Sequence, residues 1–228
     1  MATTTNYSWT TPDDTGLVKD GASAIRSLGS SIDSSMANLR GGTSGQVLRK
    51  NSSTQMDFSW ATASSGLTLI STTTFSGVNT QSFDNVFTST YNNYKIVASN
   101  LTSSGGGFIT MRLRVSSADN TSTNYRFRSY RGAVGGPGSD DTSQYSSSTT
   151  SFQTIYTLTG TDSAGFSCDV FAPQLAQQTQ IALLGFDPPS NGYTVISGGR
   201  FAATTQFDGF TLLCTGVAGT VSIYGYAK

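Results

Sequence analysis

Over most of the chain, apolar and polar residues alternate with a period of two. Met111, Leu113 and Val115 interleave with Arg112 and Arg114, and Tyr125 and Phe127 interleave with Arg126 and Arg128. That period puts successive side chains on opposite faces of a strand. Val221, Ile223 and Gly225 likewise oppose Ser222, Tyr224 and Tyr226, so the last strand is expected to expose tyrosines. QIALLGF (180–186) is nearly continuous apolar, which predicts a central strand. From Leu67 onward such segments recur between turn residues: LTLISTTTF, NTQSFDNV, YKIVASNL, GFITMRLRVS, NYRFRSYRG, TSFQTIYTLTG, GFSCDVFA, TQIALLGF, GYTVISGGRFAATT, FDGFTLLC and GTVSIYGYA. About ten or eleven strands without intervening helices predict a mainly β fold, a jelly-roll-like β-sandwich head over 67–228.

The first forty residues follow another period. Val18, Ile25, Ile32 and Leu39 stand seven apart, with Leu28 at the intermediate position. This predicts one N-terminal helix carrying a thin heptad stripe, with Asp13 or Asp14 at its positive end. Gly21 and Gly29 each cost such a helix about 1 kcal/mol against Ala. Standing alone in water it would be marginal and needs a partner. Isoleucine-rich core columns favour a homotrimer; packing of the helix on its own β domain is the alternative. Between helix and head, residues 41–66 are rich in Gly, Ser and Thr but hold Val47, Leu48, Met56, Phe58 and Trp60. A free tether would not retain those apolar groups, so an extended linker hairpin turning at Asn51-Ser52-Ser53 is expected.

Composition narrows the function. Thirteen basic and thirteen acidic residues balance, and no nucleic-acid partner is expected of a chain without a basic excess. No apolar run approaches the ~18–20 residues a membrane span requires, and no signal peptide is evident, so a soluble protein without membrane insertion is expected. All the acids are Asp, and there is no His. The Ser/His/Asp and Cys/His arrangements and His-containing zinc sites are thereby excluded. A glycosidase would have to work with an Asp pair such as Asp140-Asp141. No enzyme activity, cofactor or metal is expected. Cys168 and Cys214 read as buried free thiols.

The stretch YSWTTPDDTGLVKDGASAIRSLGSSID (7–33), with its Trp9, Pro-Asp, Val-Lys-Asp-Gly-Ala and Ile-Arg-Ser-Leu-Gly series, resembles an N-terminal module of bacteriophage fibre and minor virion proteins. GGTSGQVLRKNSSTQMDFSWA (41–61) is similar to the element that joins anchor and head in such fibres, and GTVSIYGYAK (219–228) to their closing strand. The resemblance implies a virion protein assembled in the host cytoplasm. Residues 1–40 would be the anchor and oligomerisation segment, working through Trp9, Val18, Ile25, Leu28, Ile32 and Leu39. Its partners would be other virion proteins, and the head would meet a host surface glycan or protein. A capsid-decorating fibre or tail adaptor, or a small polysaccharide depolymerase, are the rival readings.

The chemistry of the head concentrates between Arg112 and Arg131. Arg112, Arg114, Arg126, Arg128 and Arg131 lie there, interleaved with Tyr125 and Tyr130. Were the two strands neighbours, four guanidinium groups would share one face, with Asp119, Asp140 and Asp141 the nearest counter-charges. Such a face is either a ladder of Arg–Asp pairs or a site for an anionic glycan, where guanidinium forks grip carboxylate or phosphate. The segment 132–150 reads as a long loop that would bring Tyr145 to the same ligand, and FDPPSNGY (186–193) as a second exposed turn.

Overall fold

The computed structural model describes residues 2–12, 15–63, 66–133, 142–186 and 193–227. The chain divides into two compact units, Met1–Ser64 and Ser65–Lys228.

In the first unit, strands β1 (Ala2–Thr3) and β2 (Thr10–Thr11) pair antiparallel. A 3-10 turn at Val18–Asp20 leads into helix α1 (Gly21–Met36), which tightens to 3-10 again over Ala37–Leu39. The helix is therefore where the heptad spacing predicts it, although Asp13 and Asp14 lie outside the described residues. Trp9 ties the entering strand to the helix: its ring stacks on Tyr7, and its Nε1–H donates to Ser35 Oγ at 3.0 Å. The linker hairpin forms as expected, with β3 (Gln46–Lys50) against β4 (Phe58–Thr62) and Leu48 opposite Trp60. Asp57 closes its turn by accepting from the Asn51 amide and the Ser52 hydroxyl. Trp60 Nε1–H reaches the Arg40 carbonyl at 3.2 Å, so the hairpin is fastened to the end of the helical segment.

The second unit is one antiparallel sheet. Its strands are β5 (Leu67–Phe83), β6 (Asn93–Val115), β7 (Ala118–Asp119), β8 (Tyr125–Ala133), β9 (Thr142–Thr149), β10 (Phe152–Phe171), β11 (Gln180–Phe186), β12 (Tyr193–Phe201) and β13 (Gly209–Tyr226). The order across the sheet is β5-β13-β6-β10-β11-β12-β8-β9, with β7 paired to β6. Four of these strands are too long to stay flat. Tyr94 and Leu113 lie at opposite ends of β6, about 60 Å apart if that strand were straight at ~3.3 Å per residue. Yet the Phe87 ring lies 4.7 Å from Tyr94 and 5.8 Å from Phe210, and Phe210 stands opposite Leu113. The sheet therefore doubles over and packs against itself, making a β-sandwich from one continuous hydrogen-bonded sheet.

The fold line crosses all four strands at one level. Val78, Val217, Ser103 and Gly160 are successive cross-strand partners on β5, β13, β6 and β10, and the pairing register slips around them. Gly77, Gly106 and Gly216 sit beside the line with φ of 67°, 67° and 61°, a left-handed conformation that glycine adopts without steric cost. The Ser103 hydroxyl donates to the Thr215 carbonyl at 2.6 Å and satisfies backbone freed by the irregularity.

Between the layers lies the core. Phe83, Phe210 and Phe87 stack in sequence, while Tyr125 meets Phe152 and Phe201 edge to face. Cys168 and Cys214 are buried free thiols, and burial pushes the Cys168 thiol upward. On the outer side Lys95 of β6, Asp169 of β10 and Tyr226 of β13 form a brace. Lys95 Nζ and the Tyr226 hydroxyl both donate to Asp169 Oδ1, at 3.0 and 2.5 Å. Tyr224 and Tyr226 are half-buried rather than exposed, Tyr226 through this brace. QIALLGF is an interior strand of the sheet, as expected, with one of its faces uncovered. β11 runs between β10 and β12, but Ala182, Leu184 and Phe186 point outward and are exposed, because no second layer covers that side.

Two outcomes follow from this architecture. At Gly216 a Cβ would lie 2.1 Å from Ser104 Oγ in a left-handed backbone, so Gly216→Val should cost about 2 kcal/mol or more. At Gly198, where a Cβ meets only one carbonyl at 3.9 Å, Ala should change stability by no more than about 0.5 kcal/mol; urea unfolding compares the two. The second outcome concerns pH. Burial pulls the Lys95 ammonium down, but the hydrogen bond and charge of Asp169 outweigh it and the net displacement is upward; burial and Asp169 together raise Tyr226. A folded state that holds protons more tightly loses stability as pH rises. The brace is therefore fully present below the ordinary lysine and tyrosine range near pH 10 and lost above it. Asp169→Asn should cost about 1 kcal/mol or less at pH 7 and flatten the fall in urea midpoint between pH 9 and 11.

Candidate functional site

β6 and β8 are not neighbours, so the arginines do not share a face. β6 lies between β13 and β10, and β8 between β12 and β9. The expectation of four guanidinium groups on one face fails because sequence proximity does not determine which strands pair.

The β6 arginines have internal partners. Arg114 is buried; its Nε–H donates to Asp84 Oδ1 at 2.7 Å, and its other nitrogens reach Asp119, the Ser117 carbonyl and Thr211 Oγ1. Arg112 donates to the Thr150 carbonyl at 3.1 Å and lies 4.0 Å from Asp119. Tyr125 is also a core residue. Its hydroxyl accepts from the Leu113 amide at 3.0 Å and donates to the Asn120 carbonyl at 2.9 Å, and burial pushes it up to about 12. These three residues hold β6, β7 and β8 together through internal partners.

Arg126, Arg128, Tyr130 and Tyr145 are different: all four are exposed. Arg131 is half-buried and already engaged. Tyr145 belongs to a strand, because residues 142–149 of the expected loop pair with β8, while 134–141 lie outside the described residues. Asp140, Asp141 and most of the 186–193 turn fall outside them as well.

The register places the outward side chains of β11, β12, β8 and β9 in transverse rows. Gln180, Arg200 and Arg126 form the first. Ala182, Gly198, Arg128 and Tyr145 form the second, with the Arg128 guanidinium 5.9 Å over the Tyr145 ring. Leu184, Ile196, Tyr130 and Ser143 form the third. Adjacent rows lie roughly 6.5 Å apart along the strands. Arg126, Arg128, Gln180, Gly198 and Arg200 of the first two rows, with Ser146 and Ser147, line an open groove of about 580 Å³, whose floor is low because Gly198 carries no side chain. Its cationic bank is Arg126 directly opposite Arg200, a pairing of like charges that is unfavourable by itself. Arg200 donates to Gln178 Oε1 at 3.2 Å. Among the described residues, no carboxylate lies within ion-pair distance of Arg126, Arg128 or Arg200. One row beyond the residues that line the groove, on the same outer face, stand Ile196, Leu184 and Tyr130, 57%, 48% and 45% exposed.

Arg200, Gln180 and Gly198 were not legible as site residues. Arg200 stands alone between apolar and Gly positions some seventy residues from Arg126, and only the β8–β12 register brings it there.

The N-terminal residues separate too. Val18 and Ile25 are 97% and 64% exposed, whereas Trp9, Leu28, Ile32 and Leu39 are half-covered.

The two arginine sets should respond oppositely to truncation. Arg114→Ala leaves Asp84 and Asp119 without their shared cation and should cost about 3 kcal/mol in urea unfolding. Arg126→Ala removes one member of a like-charged pair and should leave stability unchanged or slightly higher, by about 0.5 kcal/mol.

No protein-family model and no curated protein matches the chain. Among solved structures, a variant fructofuranosidase from Schwanniomyces occidentalis, complexed with fructosylnystose, aligns over 80% of this chain and 39% of its own, at 7% identity and a TM-score of 0.21. A likeness at that level carries no argument about fold or function.

Proposed function

We propose that the chain is a virion fibre or spike subunit, a homotrimer attached through its N-terminal unit and displaying a β head that binds the host surface. The observation that carries this reading is the unequal distribution of core. All the buried side chains among the described residues belong to the second unit, and none of those described in the first unit is buried. A unit of some sixty residues without a core of its own does not stabilise itself, and other copies of the chain or other virion proteins would supply its burial. What it offers them is apolar and periodic. Val18 and Ile25 stand two helical turns apart and exposed, and Leu17, 63% exposed, borders a groove of about 590 Å³ along the start of the helix. Seven-residue spacing is the repeat that a helical coiled seam requires.

The second unit supplies the complementary half of the reading. It has its own core and carries exposed arginine, tyrosine and aliphatic side chains on one rigid sheet face. Three copies of a weak site on one trimer raise avidity without any single tight contact. The resemblance of residues 7–33 to fibre anchor modules supports the same arrangement.

The test uses the fluorescently labelled full-length chain on bacteria susceptible to the particle that carries it. Saturable binding is expected, together with a trimer mass by light scattering. Val18→Asp/Ile25→Asp should give a monomer whose head remains folded and whose apparent affinity for cells falls by roughly tenfold or more. No binding by a folded trimer would remove the adhesin reading in favour of a decorating or adaptor protein. A double variant that stays trimeric would remove the helix as the assembly element.

A further inference from the structure

On the outer face of β11, β12, β8 and β9 an arginine-lined groove lies beside an exposed apolar row, and the pair of them specifies a ligand class. This deepens the reading of the head as the surface-binding part and rests on it.

On one bank, Arg126 and Arg200 are cross-strand partners, so their Cα atoms lie about 5 Å apart. Like charges on directly opposed positions are unfavourable, and an anion held by both guanidinium groups would relieve that. A planar oxyanion matches their forked donors better than a point charge does. Gln180, Ser146 and Ser147, beside them, add neutral hydrogen-bonding groups suited to hydroxyls. The floor is low because Gly198 carries no side chain, and Arg128 is held over Tyr145. Beside the groove, two rows and roughly 13 Å from the arginines, stand Leu184, Ile196 and Tyr130.

A ligand that satisfies both groove and row has a carboxylate edge, several hydroxyls and a flat C–H face. A free inorganic anion would leave the apolar row empty, and a neutral sugar would leave Arg126 and Arg200 without a counter-charge among the described residues. A nucleic-acid strand requires a basic track that follows its backbone, and here the basic bank gives way to aliphatic groups one row past the floor. The groove volume, about 580 Å³, is that of a small-ligand site, roughly 300–1,000 Å³.

We infer that this groove binds an acidic sugar segment of a surface polysaccharide, with a uronate-type carboxylate between Arg126 and Arg200 and a sugar ring lying over Gly198 against Ile196 and Leu184. Specificity comes from the arginine pair, which rewards the carboxylate, and from the floor, which admits the ring. Arg128 and Tyr145 form the end wall toward β9.

Calorimetric titration of the full-length chain tests this with four-residue oligogalacturonate, oligoalginate and oligosialate. The methyl-esterified oligogalacturonate, a short poly(glycerol phosphate) and a ten-residue oligothymidylate serve as comparators. At least one acidic oligosaccharide is expected to bind, to weaken on raising salt from 50 to 300 mM, and to bind at least tenfold more tightly than the neutral ester. Arg126→Ala/Arg200→Ala should lose roughly tenfold or more. So should Gly198→Val, which keeps both arginines and fills the floor where a Cβ has room. Circular dichroism and urea unfolding establish that both variants are folded. Failure of all three acidic oligosaccharides, equal binding of acid and ester, or unchanged binding by both variants overturns the assignment. Tighter binding of poly(glycerol phosphate) or oligothymidylate also overturns it, in favour of a phosphate-bearing polymer. Cell binding that persists while the oligosaccharides fail leaves the head an adhesin with its site elsewhere. Oligosaccharide binding without cell binding sinks the adhesin reading and keeps the groove.

Discussion

The second unit depends on a sheet that folds over on itself at Val78, Val217, Ser103 and Gly160. A single antiparallel sheet buries one face only if something covers it. Here the cover is the continuation of the same strands, bent at a common level. The bend brings Tyr94 and Phe210 to either side of Phe87, and the aromatic core assembles around that wedge. Placing Gly at the line in three of the strands lets each backbone turn without breaking the hydrogen-bonded ladder on either side. Hydrophobic burial then rewards the bend, because neither half of β6 has a covered face until the other half arrives.

One layer is broader than the other, since β11, β12, β8 and β9 extend the sheet beyond the doubled strands. Their inner side chains, Val195 and Phe201 among them, enter the core. Their outer side chains face away from it. That is why a strand as apolar as QIALLGF exposes Leu184 and Phe186, and why β8 can place Arg126 and Arg128 outward while Tyr125 is locked inside. The groove is thus a by-product of the extension: β12 contributes Gly198 and Arg200 to a face otherwise set by β8 and β11. The first unit lacks any such closure. Its contacts, Trp9 to Ser35 and Trp60 to the Arg40 carbonyl, are single polar links between elements that bury nothing. They orient a helix but do not stabilise it against water.

Much of this was legible in the pattern of residues. The period-seven stripe located the helix, the isolated apolars of 41–66 located the hairpin, and the period-two alternation located the strands of the head. The number of strands was not. LTLISTTTF and NTQSFDNV are one strand, as are YKIVASNL and GFITMRLRVS, TSFQTIYTLTG and GFSCDVFA, and FDGFTLLC and GTVSIYGYA. Gly or Ser interrupts each of these pairs. A Gly that bends a strand over a fold line and a Gly that reverses the chain carry the same local signal. Conversely TSQYSSST reads as loop because it is polar on both sides, and it becomes β9 only because β8 offers it an edge.

What the sequence by itself determined is whatever depends on neighbours within a few residues: the secondary-structure type and the alternation of side chains between the two sides of a strand. Those follow from covalent geometry and period. The tertiary structure alone decided which strands adjoin. It separated Arg112 and Arg114, engaged by Asp119 and by Thr150 or Asp84, from Arg126 and Arg128, and it set Arg200 beside Arg126 across more than seventy residues. Strand pairing is a contest among long-range registers, settled by which arrangement buries the aromatic core. No local pattern encodes its outcome, and the chemistry of the groove resides in that outcome.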